Sequence, residues 1–137
     1  MYTKRILYLS MGTGLYSDMS TYGGGLEILA GDTQKGVIDS KGKYPMTFIH
    51  LLWKKGYVYQ TLDNDGHVRN EDPKVNNWEK YLEDTGVTTS VDVFGGRVFV
   101  KIWKLKNGPV YYLDTDLEEN GDLRNISYHL YGGAWDD

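Results

Sequence analysis

Apolar positions follow two rhythms along this chain, and the change comes at Trp53. Before it, "RILYLSM" (Arg5 to Met11) and "MTFIHLLW" (Met46 to Trp53) are short apolar runs of the length of buried strands. Between them, Leu26, Leu29, Ala30, Thr33 and Val37 recur at helical spacing. This predicts a helix over Leu26 to Ser40 with that stripe as its buried face. Gly42 follows as a C-terminal stop, and Lys41 and Lys43 suit the negative end of the helix. Strand, helix, strand in this order predicts a βαβ unit with parallel strands and a right-handed crossover.

After Trp53 the period shortens and turn residues multiply. "GYVYQTLDNDGHVRNE" reads as strand, turn, strand, with Asp65-Gly66 as the hairpin signal. Asp72-Pro73 breaks the chain, and "VNNWEKYLED" holds a short helical turn. "TTSVDVFGGRVFVKIWKLKNGPVYYLDTD" then gives three strand-like runs separated at Gly95-Gly96 and Asn107-Gly108. The predicted class is α/β: a Rossmann-like βαβ unit over residues 1–53, then antiparallel β-hairpins over 54–137, in one partial domain.

Composition narrows the partners. The net charge of -4 argues against nucleic acid, which leaves a basic footprint. The densest basic run, Lys101 to Lys106, alternates with apolar residues and reads as a solvated edge or strand face. With no cysteine, thiolate zinc sites, disulfides and cysteine nucleophiles are excluded. No apolar run reaches the roughly 18 residues of a membrane span and no secretory h-region is visible, so a cytoplasmic setting is expected.

Several candidate chemistries reduce to structural readings. "GTGLYS" (Gly12 to Ser17) nearly matches the dinucleotide fingerprint, but no helix opens where that fingerprint requires one. His50, His67 and His129 lack metal-ligand spacing, and His50 reads as a hydrogen-bonded core residue. Asp114, Asp116, Glu118 and Glu119 could hold a cation and read more simply as a solvated turn. That leaves Gly23-Gly24-Gly25-Leu26. Glycines let main chain approach a ligand closely, and a helix N-terminus attracts anions, phosphate above all. A tight turn packing the helix onto the strand is the other reading of the same residues.

At this point the chain resembles a family. "TYGGGLEILAGDTQKG" is similar to the Y-S-G-G-L-G-x-L-A-G-D-x-x-K segment of α-glucan phosphorylases, the glycogen, starch and maltodextrin enzymes. "ILYLSM", "LLWKKGYVYQTLDNDG", "VYYLDTDLEEN" and "ISYHLYGG" resemble further family blocks in the family's order. The resemblance implies part of the N-terminal domain of a GT-B glycosyltransferase, phosphorolysis of α-1,4-glucan to glucose 1-phosphate, and pyridoxal phosphate on a lysine. By position, Gly24 and Gly25 would face phosphate, and Leu26 and Leu29 would lie at the glucose pocket.

The departures matter as much. The family's glycine after the leucine is Glu27 here, a like charge beside any phosphate. Its glutamate after Ser-Met is Gly12, its serine before the double glycine is Gly23, and its aspartate after Tyr-Gly-Gly gives way to Ala134-Trp135. Family enzymes run to several hundred residues, and no lysine here matches the cofactor motif. The expectation is a fragment or divergent relative, inactive alone, with a missing C-terminal domain or a second copy as partner. Two alternatives stay open: a non-catalytic glucan-binding or interaction module, and a fragment of another GT-B enzyme such as a glycogen-synthase-like one.

Overall fold

The computed structural model describes residues 4–71, 73 and 75–131. Strand β1 (Ile6–Ser10) leads through a glycine-rich loop into helix α1 (Gly25–Asp39), which returns to β2 (Met46–Leu51). A small hairpin follows, β3 (Tyr59–Leu62) and β4 (Val68–Glu71), then a 3-10 turn at Trp78–Lys80. The long strands β5 (Leu82–Val93) and β6 (Gly96–Leu105) come next, then β7 (Val110–Asp114) and 3-10 turns over Glu118–Ser127.

The strands form a mixed five-stranded sheet in the order β1-β2-β7-β6-β5, with β3-β4 apart from it. As expected, β1 and β2 are parallel and α1 crosses between them. β7 is also parallel to β2, with Phe48 opposite Val110 and His50 opposite Tyr112. The hairpin-rich half is therefore joined to the βαβ unit by continuous backbone hydrogen bonding. Asp65-Gly66 turns as predicted, Gly66 taking a φ of 82°. At the next hairpin the turn sits one residue earlier than the sequence suggested. Val93 pairs with Gly96, so Phe94 and Gly95 are the central residues, both at positive φ. That is the backbone twist two-residue hairpins favour.

The helix presents a different face from the one its leucines suggest. Glu27, Ala30, Gly31, Gln34 and Val37 are buried, while Leu26 and Leu29 are each 61% exposed. Close approach decides this. A Cβ on Gly31 would stand 2.4 Å from the Gly14 carbonyl oxygen, so only a glycine lets the helix pack onto the loop after β1. The chain leaves the helix through Ser40, then Lys41 and Gly42, both at positive φ.

Phe48, Val110 and Tyr112 on one face of the sheet pack with Leu15, Met19, Val37, Leu52, Leu82 and Leu105 as the main core. On the other face, Val98 and Val100 are buried and β6 packs against the last 3-10 turns. Asn120 fastens these turns, exchanging two hydrogen bonds with the Phe99 backbone at 2.7 and 2.8 Å. The basic run of β6 lies on an interior strand, a correction to the edge reading. Lys101 pairs with Asp84 at 2.8 Å and Lys104 with Glu83 at 3.2 Å, both on β5. Among the described residues no helix is long and apolar enough to cross a membrane.

Candidate functional site

Two loops meet at the C-terminal end of β1. The Thr13 amide donates to the Thr21 carbonyl at 2.8 Å, and the Thr21 hydroxyl donates to the Thr13 carbonyl at 2.6 Å. The Gly14 amide donates to the Glu27 carbonyl at 2.8 Å. These bonds bring the near-fingerprint "GTG" and the triple glycine together on the first turn of α1.

The glycines of this region divide into two kinds. Gly12 and Gly31 are required by packing against backbone, and Gly14 is crowded by Ile28. A Cβ on Gly12 would lie 2.4 Å from the Thr21 carbonyl oxygen, and one on Gly14 would lie 2.7 Å from Ile28 Cδ1. Gly23 is crowded by the Tyr131 ring at 2.8 Å. Gly24 and Gly25 are not crowded. A Cβ on Gly24 would meet only Glu27 Oε2 at 3.8 Å, and one on Gly25 would meet nothing within 4 Å among the described residues. Neither has positive φ; Gly24 is extended at φ -162°. Neither close packing nor a positive φ thus requires glycine at these two positions, and Gly24 stands at the N-cap, where glycine is a common residue.

Gly24 caps α1, and Glu27 turns back to it. The Gly24 amide donates to Glu27 Oε2 at 3.1 Å, and the Tyr131 hydroxyl donates to Glu27 Oε1. Glu27 is only 1% exposed. A carboxylate at this place satisfies a backbone N–H that lacks an intrahelical partner and faces the positive end of the helix. It also stands where an incoming anion would approach Gly24. The carboxylate beside it holds the Tyr131 phenol above the ordinary tyrosine range.

Beside the loop lies a groove of about 430 Å³ lined by Ser17, Ser20, Tyr22, Gly23, Gly24, Ile28, Tyr57, Val58 and Tyr59. Tyr57 meets Tyr131 edge to face, with ring centroids 5.5 Å apart. Sequence reasoning missed Tyr57 and Tyr131, since only the fold brings them to the loop. Of the expected site residues, the structure gathers Gly24, Gly25 and Glu27 at the loop. It sets Leu26 and Leu29 on the exposed side of the same helix.

The remaining candidates are structural. His50 is buried, with Nε2 2.5 Å from the Gln34 side-chain nitrogen and Nδ1 3.1 Å from the Ser10 carbonyl oxygen. This geometry fits an Nδ1–H donor and an Nε2 acceptor. Burial lowers its pKa to about 4. The acidic run that begins at the last residue of β7 is not a solvated turn at its first members, which corrects that reading. Asp114 is buried and takes the Lys54 ammonium at 2.8 Å and the Trp103 indole N–H at 3.1 Å. Asp116 binds Arg124 at 2.6 Å. Lys54 Nζ also lies 3.8 Å from the Trp78 ring centre. The cation at this cluster is the chain's own lysine. Asp63, Asp65 and His67 converge at the β3-β4 turn, but Asp63 Oδ1 accepts the Asp65 and His67 amides and Oδ2 accepts Arg69. Ala134-Trp135 lies outside the described residues.

No family model matches the chain. It is 31% identical over 134 residues to an uncharacterized protein of Methanocaldococcus jannaschii, covering 93% of this chain and 25% of that protein. It is 34% identical over 138 residues to a glycogen phosphorylase of Mycobacterium tuberculosis, covering 93% of this chain and 16% of the enzyme. A maltodextrin phosphorylase of Thermococcus litoralis is 33% identical over 142 residues, covering 96% of this chain and 17% of the enzyme. The chain thus spans a quarter or less of the curated relatives it matches. A relation to part of the phosphorylases, enzymes of glucan metabolism, is what these matches support.

Proposed function

We propose that residues 1–137 form part of the N-terminal domain of a GT-B glycosyltransferase of the α-glucan phosphorylase type, without phosphorolytic activity alone. Gly24 and Gly25 carry the reading: neither places a Cβ at the α1 N-terminus, and neither has a packing reason to be glycine. The phosphorylase matches span 93–96% of the chain and so include this loop. In this reading the α-glucan and phosphate meet the Gly24-Gly25 side of α1, with Leu26 and Leu29 toward the sugar. The exposure of both leucines suits a cleft completed by further polypeptide.

Pyridoxal phosphate does not fit the chain as it stands. No lysine has the cofactor motif, and the Gly24 amide that would meet a phosphate already bonds Glu27. Catalysis would need the opposite wall of the cleft as well.

The test exchanges this chain for the matching region of the Thermococcus litoralis maltodextrin phosphorylase. The isolated chain should release no glucose 1-phosphate from maltooligosaccharide and phosphate. The hybrid should fold, and it should release more with Glu27→Gly than without. Activity of the isolated chain, or a hybrid that folds yet stays inactive with either residue, overturns the proposal.

The Glu27 carboxylate favours a second reading, an interaction or glucan-binding module that kept the fold while a side chain replaced the anion. Retardation in maltodextrin-containing gels, with an inactive hybrid, would decide for it.

A further inference from the structure

Between Tyr16 and Gly24 the chain forms no helix or strand, yet this loop ends in the cap of α1 and lines the groove beside it. Thr21 is tied to Thr13 on one side. The other support comes from Asn76, 56 residues beyond Ser20. Asn76 Oδ1 accepts the Ser20 amide at 2.7 Å, while Nδ2 donates to the Ser20 carbonyl at 3.3 Å and to the Trp53 carbonyl at 3.0 Å. The Ser20 amide can only donate, which fixes the end of the Asn76 side chain that carries the oxygen. The Asn76 backbone is itself held, its amide donating to the Lys54 carbonyl at 2.7 Å. One buried side chain thus serves both backbone groups of Ser20, as a neighbouring strand would. Ser20 is also pressed against Gly56, where an added Cβ would lie 2.4 Å from Ser20 Cβ. Lys80 and Tyr81 reach Asp18 in the same loop, but those groups are exposed, and exposed pairs hold weakly.

We propose that Asn76 is a positioning residue for Gly24 and Gly25. It lies outside the groove lining and acts through Ser20, which does line the groove. Thr21, Tyr22 and Gly23 alone separate Ser20 from Gly24. With the Asn76 bonds gone, Thr13–Thr21 is the one buried hydrogen-bonded tie from this loop to another segment among the described residues, and the loop can turn about it. A small displacement of groups that hold a substrate is costly to a reaction even when its cause lies away from the chemistry. The inference rests on the phosphate-facing reading of the two glycines.

Amide hydrogen exchange on the 137-residue chain reads the hold on the loop. Asn76→Ala should speed exchange at Thr13, Thr21 and Gly24 by about tenfold or more, beyond any change at the sheet amides of Phe48 and Leu52. Val98→Ala, a core change on the opposite face of the sheet, should not single out the loop. In the hybrid enzyme carrying Glu27→Gly, Asn76→Ala should raise the KM for phosphate by about tenfold and leave the KM for maltooligosaccharide unchanged. Val98→Ala should move neither. A merely structural Asn76 would lower the amount of folded enzyme, and kcat with it, at constant KM. Asn76→Asp keeps the acceptor for the Ser20 amide and loses both donors. It should show the same pattern to a smaller degree, and it carries the test where Asn76→Ala does not fold. Exchange that rises equally across the chain, or a phosphate KM that stays unchanged, overturns the proposal. A hybrid inactive with Asn76 in place overturns the phosphorylase reading instead, and the exchange pattern then decides alone whether Asn76 holds the loop.

Discussion

The Tyr131 hydroxyl and the Gly24 amide bind opposite oxygens of one carboxylate, Glu27, across 104 residues of sequence from tyrosine to glutamate. The contact ties the end of the described chain to the start of α1. It also changes what Glu27 means. A charge expected to repel phosphate from an open loop is a buried partner of the loop itself.

Removing that partner should loosen the loop and open the helix terminus together. Glu27→Gly should lower stability by about 2–4 kcal/mol, from a lost charge-assisted hydrogen bond and a helical glycine. Tyr131→Phe should lower it by about 1–3 kcal/mol, since it leaves a buried acceptor short of one donor. Phosphate should bind the wild type weakly or not at all and Glu27→Gly measurably more tightly. Thermal melts and titration calorimetry check both. Tight phosphate binding by the wild type that Glu27→Gly weakens would show that the carboxylate assists the site.

Two glycines of α1 should answer alanine oppositely. Gly31→Ala drives a Cβ against the Gly14 carbonyl and should cost about 1–3 kcal/mol through overpacking. Gly25→Ala meets open space inside a helix and should stabilise by about 0.5–1 kcal/mol. Urea midpoints measure both. A stabilising Gly31→Ala would mean that helix and loop are not held as closely as described.

Local signals carried the elements, and partners decided the rest. The apolar runs and the Asp65-Gly66 turn are visible in the sequence because strand length and turn chemistry are local. The insertion of β7 between β2 and β6 is not, because pairing across some sixty residues leaves no periodic mark. The helix face was misread because Leu26 and Leu29 outweigh Glu27 and Gln34 on any hydrophobic scale. Those polar residues are buried because each finds a hydrogen-bond partner, Tyr131 with Gly24 and His50 respectively. Asp114 was misread for the same reason, its cation lying sixty residues upstream. The glycine loop was legible as a candidate, but only the missing Cβ contacts separate Gly24 and Gly25 from their packing-bound neighbours.

The Lys54–Asp114 pair bridges the segment after β2 to the end of β7 inside the protein. Lys54→Met strands a buried carboxylate with the Trp103 indole as its remaining side-chain donor, and should cost about 3–5 kcal/mol. Lys54→Met with Asp114→Asn removes both charges and should recover part of that loss. Denaturant unfolding of the single and double variants gives the coupling. Equal losses in the two would show that the ion pair contributes little beyond packing.

His50 should make the fold sensitive to mild acid. Its pKa falls from the ordinary 6.5 to about 4 because burial disfavours the imidazolium. The group is neutral in the folded chain while the unfolded chain begins to take up a proton near pH 6.5. Its contribution is therefore complete above pH 6.5, shrinks as pH falls, and is gone near pH 4. A shift of this size corresponds to roughly 3 kcal/mol at most. Carboxylates titrate in part of the same window, so the comparison is with His50→Gln, which has no charge to gain. The wild type should lose more stability than His50→Gln between pH 7 and 4.5, with most of the difference developing below pH 6. Parallel losses in the two proteins would assign the acid sensitivity to the carboxylates and leave His50 a neutral spectator.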